Sequence, residues 1–205
     1  MDATRRFYKL AYRVGFHPWE DAEHIPEFVE RISELVSRDE DGSGPPYGPA
    51  LELGCGSGIW GVHLAKRGWQ VTSVDMVGKA LRRASERVRA AAVDVRLVQG
   101  DVTALREAGV GSGFRLVLDT GTFHGLTAAQ REAVGREVSA VAAGEATVLL
   151  LAWNPGSRGP LPRGVSQGEI EAAFPGWKVT EEGETGFRPP KLLKAEEHWY
   201  RLRRG

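Results

Sequence analysis

From Ala50 onward, apolar strand-like runs alternate with helical segments on a regular beat, and this beat constrains the fold more than any other feature of the 205-residue chain. Strand-like runs lie at 50–53, 69–75, 93–101, 114–120 and 146–153, and helical periodicity occupies 58–67, 78–91, 103–108 and 127–142. Strand and helix repeated in this way predict an α/β fold, a doubly wound parallel sheet with helices on both faces. After a short helix at 166–174 the beat breaks, and "GWKVTEEG" and "EEHWYRLRR" follow as two strand-like runs with no helix between them. They predict a terminal antiparallel pair added to the parallel sheet.

The segment before Ala50 is organised differently. Residues 5–15 and 25–37 read as helices, the second with Ile25, Phe28, Val29, Ile32, Leu35 and Val36 at helical spacing and Pro26 near its start. "SRDEDGSGPPYGP" is acidic and rich in glycine and proline, as linkers are. The expected organisation is an N-terminal helical extension over 1–40, which the resemblance described below makes a lid, a linker over 41–49 and one compact unit over 50–205.

Charge and cysteine content exclude several classes. Lys plus Arg equals Asp plus Glu at 27 each, so nothing in the overall charge calls for a phosphate backbone, and no nucleic-acid partner is expected. Arg82, Arg83, Arg87 and Arg89 share a helical segment and read as a solvated face. The single cysteine, Cys55, allows no internal disulfide and no thiolate cluster, which fits a reducing cytoplasm. His17, His24, His63 and His198 form no metal-ligand spacing, and no metal site is expected. Charges and prolines break up the first 30 residues, and no apolar run reaches the ~18 residues a membrane span needs.

In "LELGCGSGIW", Gly54, Gly56 and Gly58 stand at the carboxyl end of the first strand, where an open α/β sheet binds its ligand. Without β-carbons the backbone can turn tightly and a ligand can lie against it. The alternate spacing differs from GxGxxG, the dinucleotide fingerprint, and a nicotinamide-dependent oxidoreductase is disfavoured on that ground. Asp75 closes the second strand 19 residues beyond Gly56, placed to accept hydrogen bonds from the ribose hydroxyls of an adenosine. Asp101 ends the third strand, where an acceptor can meet the adenine amine. With Glu52, these aspartates predict an acidic, glycine-floored cleft suited to a cationic cofactor.

"LELGCGSGIWGVHLAKRGWQVTSVD", "QGD" and "LVLDTGTFHGL", at these separations, resemble the class I S-adenosylmethionine-dependent methyltransferases over about residues 50–205. The resemblance implies a Rossmann-like, seven-stranded, mostly parallel sheet whose last strand is antiparallel, with S-adenosyl-L-methionine as cofactor. It implies that the backbone around Gly54 and Gly56 receives the methionine part, Asp75 the ribose, and Asp101 with Val102 the adenine. The whole implied cofactor site comprises Trp19, Glu52, Gly54, Cys55, Gly56, Ser57, Gly58, Asp75, Met76, Asp101, Val102 and Asp119. "PWEDAEHIPEFVERI" and "DTGTFHGL" resemble the small-molecule branch, the thiopurine and tellurite-resistance-type enzymes, in which N-terminal helices form a lid and a tryptophan at the position of Trp19 lies near the cofactor.

Methyl transfer from a sulfonium is an in-line displacement in which orientation supplies most of the rate. Aromatic faces stabilise the sulfonium charge, and Trp19, Phe123 and Trp153 are candidates for that role, with plain packing the alternative for each. His124 and Asp119 are the catalytic candidates; an unperturbed histidine titrates near neutrality, as a general base must, and a structural histidine is the other reading of His124. Thr122, Phe123, Trp153 and His24 are the expected substrate-pocket residues. "PPY" lacks a leading Asp or Asn, and "NPG" follows the fifth strand and not the fourth, so neither supports methylation of DNA or RNA amines. The expected function is methylation of an O, N or S atom of a small aromatic or heterocyclic molecule. The alternative is a non-catalytic S-adenosylmethionine-binding module or partner subunit.

Overall fold

Near-continuous apolar runs along the parallel strands leave each one with two faces to bury, so the sheet needs cover on both sides. In the computed structural model, which describes residues 24–42, 44–157, 162–186 and 195–205, seven strands meet this need. They are β1 (Pro49–Leu53), β2 (Gln70–Asp75), β3 (Val95–Gln99), β4 (Phe114–Thr120), β5 (Ala142–Trp153), β6 (Trp177–Glu184) and β7 (Glu197–Arg204). Their order across the sheet is β3-β2-β1-β4-β5-β7-β6. β1 to β5 are parallel, and β7 runs antiparallel to β5 on one side and to β6 on the other. This is the mostly parallel sheet with an antiparallel last strand expected above.

The described helices are α1 (Pro26–Ser37), α2 (Ile59–Arg67), α3 (Gly78–Ala91), α4 (Ala128–Val141) and α5 (Gln167–Ala173). Several of these boundaries have a local cause. α1 begins at a proline, whose fixed φ suits a first turn. α2 is bracketed by Gly58 and Gly68, both left-handed at φ 78° and 105°. Capping boxes open α4 (Thr127 with Gln130) and α5 (Ser166 with Glu169).

Two expectations are corrected. The segment 103–108 forms only a 3-10 turn, Val102–Ala104, followed by turns, because left-handed glycines at 109, 111 and 113 stop a second helical turn from propagating. β5 begins at Ala142 rather than at 146, because Ala142 already pairs with Phe114 ahead of a register shift in β4. Residues 5–15 of the expected lid lie outside the described residues.

The core has two layers. Leu51, Leu53, Val117 and Val148 pack with Val134, Val138 and Phe174 from the side of α4 and α5. Ala50, Leu118, Leu149 and Leu151 pack with Phe28, Ile32, Trp60 and Leu64 from the side of α1 and α2. Trp60 is edge-on to Phe28 at 5.6 Å between centroids, and so belongs to packing.

A buried ion pair ties α1 to the sheet. Arg201 of β7 donates to Asp39, two residues past α1, at 2.5 Å, and to the Leu35 carbonyl at 2.5 Å. Asp39 also accepts from Arg203 and from the Thr147 hydroxyl of β5. Removing Asp39 takes from the buried Arg201 guanidinium its nearest carboxylate, a loss on the order of 3–5 kcal/mol, whereas replacing both by apolar groups is far less costly. Asp39→Ala is therefore expected to lower the urea-unfolding free energy by that order, and Asp39→Ala with Arg201→Leu to recover most of it. Additive losses in the double variant would show that the pair is not coupled.

Candidate functional site

The carboxyl ends of β1, β2, β3 and β4 converge where strand order reverses between β1 and β4, and the residues after each end form the site. Gly54 is left-handed at φ 62°, and a β-carbon there would stand 1.9 Å from the Thr122 hydroxyl. The loops after β1 and β4 thus touch through a position that tolerates only glycine. Thr122 closes the contact by donating to the Leu53 carbonyl at 3.3 Å. Gly58 does the same against α3, where its β-carbon would meet that of Ala84 at 2.9 Å.

Asp75 joins two loops. One carboxylate oxygen accepts the Gly56 amide at 2.9 Å and the other the Val77 amide at 2.7 Å. Burial raises its pKa, and the amides of Val77, Gly56 and Met76 oppose that rise. Each oxygen has a second lone pair with which to meet a ligand hydroxyl. Asp101 caps the 3-10 turn by accepting from the Thr103 amide at 3.0 Å. The Ser57 hydroxyl, on a residue 3% exposed, has no hydrogen-bond partner among the described residues. Cys55 is buried beside it, and burial raises its thiol pKa well above the ordinary value. Met76 is half-buried against Val77 and Ala80.

Several expected roles change in the fold. Glu52 does not supply charge to the cleft: it is 1% exposed and accepts from the Ser73 hydroxyl at 2.6 Å beneath Gly61, whose missing β-carbon makes room for the carboxyl. Burial, opposed by the Ser73 bond and reinforced by the charge of Asp75, pushes its pKa up to about 8. The negative character of the cleft therefore comes from Asp75 and Asp101. Asp119 is also 1% exposed, and its oxygens accept the amides of Gly121, Thr122 and Phe123 at 2.8–3.2 Å. Burial pushes it up to about 6 against the pull of those three amides. Asp119 anchors the loop after β4, with its carboxyl oxygens turned to those amides and away from the surface where its catalytic and cofactor-binding roles were expected.

The Val102 side chain is in the core, and Phe123 is fully buried against Phe174, so neither side chain lines a pocket. His124 is buried with its ring 5.2 Å from that of Trp153, and its Nδ1 accepts the Trp153 amide at 2.9 Å. In the neutral ring this bond puts the proton on Nε2, so the lone pair a general base would need is committed. Thr122 and Trp153 are half-buried at the carboxyl edge, as a pocket wall requires. His24 is exposed just ahead of α1, and Trp19 lies outside the described residues.

Sequence reasoning missed Arg131. Its buried guanidinium, on α4, donates to the carbonyls of Phe123 (3.2 Å), His124 (2.9 Å) and Gly164 (2.7 Å) and pairs with Glu169 at 3.3 Å. It fastens the loop after β4 to the loop after β5. The signal was present: Arg131 shares the apolar stripe of Val134, Val138 and Val141, where a solvated cation has no place. Glu197 and Thr185, on and beside the terminal strands, were also missed, and only the β5–β7 pairing brings them near Trp153.

Residues 50–144 match a family model described as Methyltransferase domain. Among curated proteins, ribosomal RNA small subunit methyltransferase C of Alcanivorax borkumensis is 34% identical over 55 residues, which span 27% of this chain and only 17% of that protein. Among solved structures, magnesium protoporphyrin IX methyltransferase from Synechocystis PCC 6803, with bound S-adenosylmethionine, superposes with a TM-score of 0.74 at 14% identity, covering 100% of this chain and 98% of that one. The 1,6-didemethyltoxoflavin-N1-methyltransferase of Burkholderia thailandensis, with its substrate and S-adenosylhomocysteine bound, gives 0.75 at 16% identity, covering 98% and 87%. Residues 50–144 thus resemble a methyltransferase domain, and the fold is shared along the length of the chain with these two structures.

The buried Glu52 makes a checkable demand on stability. Its folded pKa, about 8, lies above its ordinary 4.5. Its contribution to stability is therefore complete below pH 4.5 and is lost as pH rises through about 8. Glu52→Gln does not titrate. Its melting temperature relative to the parent should climb between pH 5 and pH 8.5, and a constant offset across that range would mean Glu52 ionises normally in the fold.

Proposed function

We propose that the chain is an S-adenosylmethionine-dependent methyltransferase acting on an O, N or S atom of a small, aromatic or heterocyclic acceptor. The observation that carries this reading is the set of features meeting at one sheet edge: the Gly54–Thr122 contact, the orphaned Ser57 hydroxyl, and the carboxylates of Asp75 and Asp101 at successive strand ends. They fit the cofactor part by part. The glycine turn leaves room for an amino-acid chain, the Ser57 hydroxyl gains a partner, and Asp75 and Asp101 offer acceptors to a ribose and a purine amine. When bound, S-adenosylmethionine supplies an electrophilic methyl group on a sulfonium sulfur.

The chain's residues then have three tasks. The loops after β4 and β5, tied together by Arg131, hold the acceptor's reacting atom in line, and such pre-orientation is worth on the order of 7–11 kcal/mol in favourable cases. Trp153 at the end of β5 gives that side an aromatic wall. Asp119 keeps the loop after β4 in place by satisfying its amides. With Nδ1 of His124 committed, no side chain of this loop serves as proton acceptor in the present geometry, which favours acceptors that ionise or lose a proton to solvent.

Support for a small acceptor comes from the balanced charge of 27 basic and 27 acidic residues and from the full-length likeness to enzymes named for small substrates. The deciding measurement incubates the protein with methyl-labelled S-adenosylmethionine and a panel of phenols, thiols and nitrogen heterocycles, beside ribosomal RNA and a protein extract. Label in a small molecule is expected; label in RNA or protein alone would overturn the assignment. With an acceptor in hand, His124→Asn, whose amide oxygen can accept the Trp153 amide, should keep turnover within about threefold, since loss of a general base costs about 10²–10⁴. A fall of that size would return His124 to the role of base.

A further inference from the structure

Glu197 is a buried carboxyl that nothing above uses. It opens β7 and pairs across the sheet with Trp153, the last residue of β5, so both side chains project on the same face. It is 8% exposed, accepts the Thr185 hydroxyl at 3.0 Å, and takes a hydrogen bond from the Trp153 side chain, whose one donor is the indole N–H. Trp153 is thereby held twice: its ring lies tilted on His124 at 5.2 Å, and its N–H is tied to a carboxyl. Both constraints act on a side chain that is half-buried at the edge where the acceptor is to bind. Thr185 in turn holds the carboxyl and takes the backbone carbonyl of Glu197 on its own amide at 3.1 Å, so the group is fixed from two sides.

A carboxylate hydrogen-bonded to an indole N–H pushes electron density into the ring and deepens the negative potential over its face. The attraction of an aromatic face for a cation is electrostatic, strongest for tryptophan and larger in a desolvated site. We propose that Trp153, tuned by Glu197, is a specificity wall that selects a planar heterocycle with a cationic or electron-poor ring, methylated at a second N, O or S atom that carries the nucleophilic lone pair. Trp153 makes the contact, and Glu197 is a positioning residue acting through it. The inference rests on the methyltransferase reading for the location of the acceptor.

The test uses two probes of the same shape, 1-methylquinolinium and neutral quinoline, with S-adenosylhomocysteine in excess. Binding of each probe is read by isothermal titration calorimetry. Burial pushes Glu197 up to about 7, so the measurement is made at pH 8.5. 1-Methylquinolinium should bind the parent protein at least tenfold more tightly than quinoline. Glu197→Gln, which keeps the shape and an acceptor oxygen but not the charge, should cut that preference to threefold or less. Trp153→Phe keeps a ring and deletes the N–H, so it approaches the same link from the other side and should remove the preference as well.

S-adenosylhomocysteine affinity, measured by calorimetry, should stay within twofold in both variants, since neither residue belongs to the donor loops. Equal affinity of the parent for the two probes, or a preference that survives Glu197→Gln and Trp153→Phe, would overturn the proposal. Failure of the parent to bind S-adenosylhomocysteine would instead strike the methyltransferase reading, and the probe preference would still decide whether the wall selects charge.

Discussion

Backbone amides at the carboxyl edge of a parallel sheet must be satisfied where the chain leaves the ladder, and an aspartate at the ends of β2, β3 and β4 does this here. Asp75 takes the amides of Gly56 and Val77, Asp101 that of Thr103, and Asp119 those of Gly121, Thr122 and Phe123. A buried amide without a partner costs on the order of 1–3 kcal/mol. Without these carboxyls the turns would have to open to water, and the Gly54–Thr122 contact that floors the cleft would open with them. The two carboxylates that face the cleft also carry its charge, so the same atoms shape the loops and set the potential a ligand meets.

The opposite half of the site is held by a cation. Arg131 gathers three carbonyls from two loops, in the way the aspartates gather amides. Its desolvation, which lowers its pKa, is offset by those carbonyls and by Glu169. The division of labour is physical: strand-end carboxyls gather the amides of the loops after β2, β3 and β4, and a helix-borne guanidinium ties the loop after β4 to the loop after β5.

Periodicity and the glycine spacing made the parallel sheet, the helix bounds of α3 and the places of Asp75 and Asp101 legible, because these depend on residues near in sequence. Glu52 was misread, although it lies between Leu51 and Leu53, both of which face the α4 side, and alternation alone sends it to the other face under Gly61. Asp119 and His124 stand at the expected strand end. Their commitment to the amides of the loop and of Trp153 depends on how that loop folds back, which no spacing encodes. Glu197 depends on a pairing between strands more than 40 residues apart in sequence, and its partner Trp153 alone carried any signal.

The order β5-β7-β6 places the seventh strand between the fifth and the sixth, and Arg201 on that strand is what α1 is fastened to. β6 has no neighbour to pair with until β7 arrives, and the carboxyl end of α1, made some 160 residues earlier, waits for the same strand. Contacts this distant in sequence close slowly, since loop entropy must be overcome before they form. On a ribosome α1 can therefore lay Phe28 and Ile32 on Trp60 and Leu64 early, while its carboxyl end gains its anchor on Arg201 only when nearly the whole chain has been made.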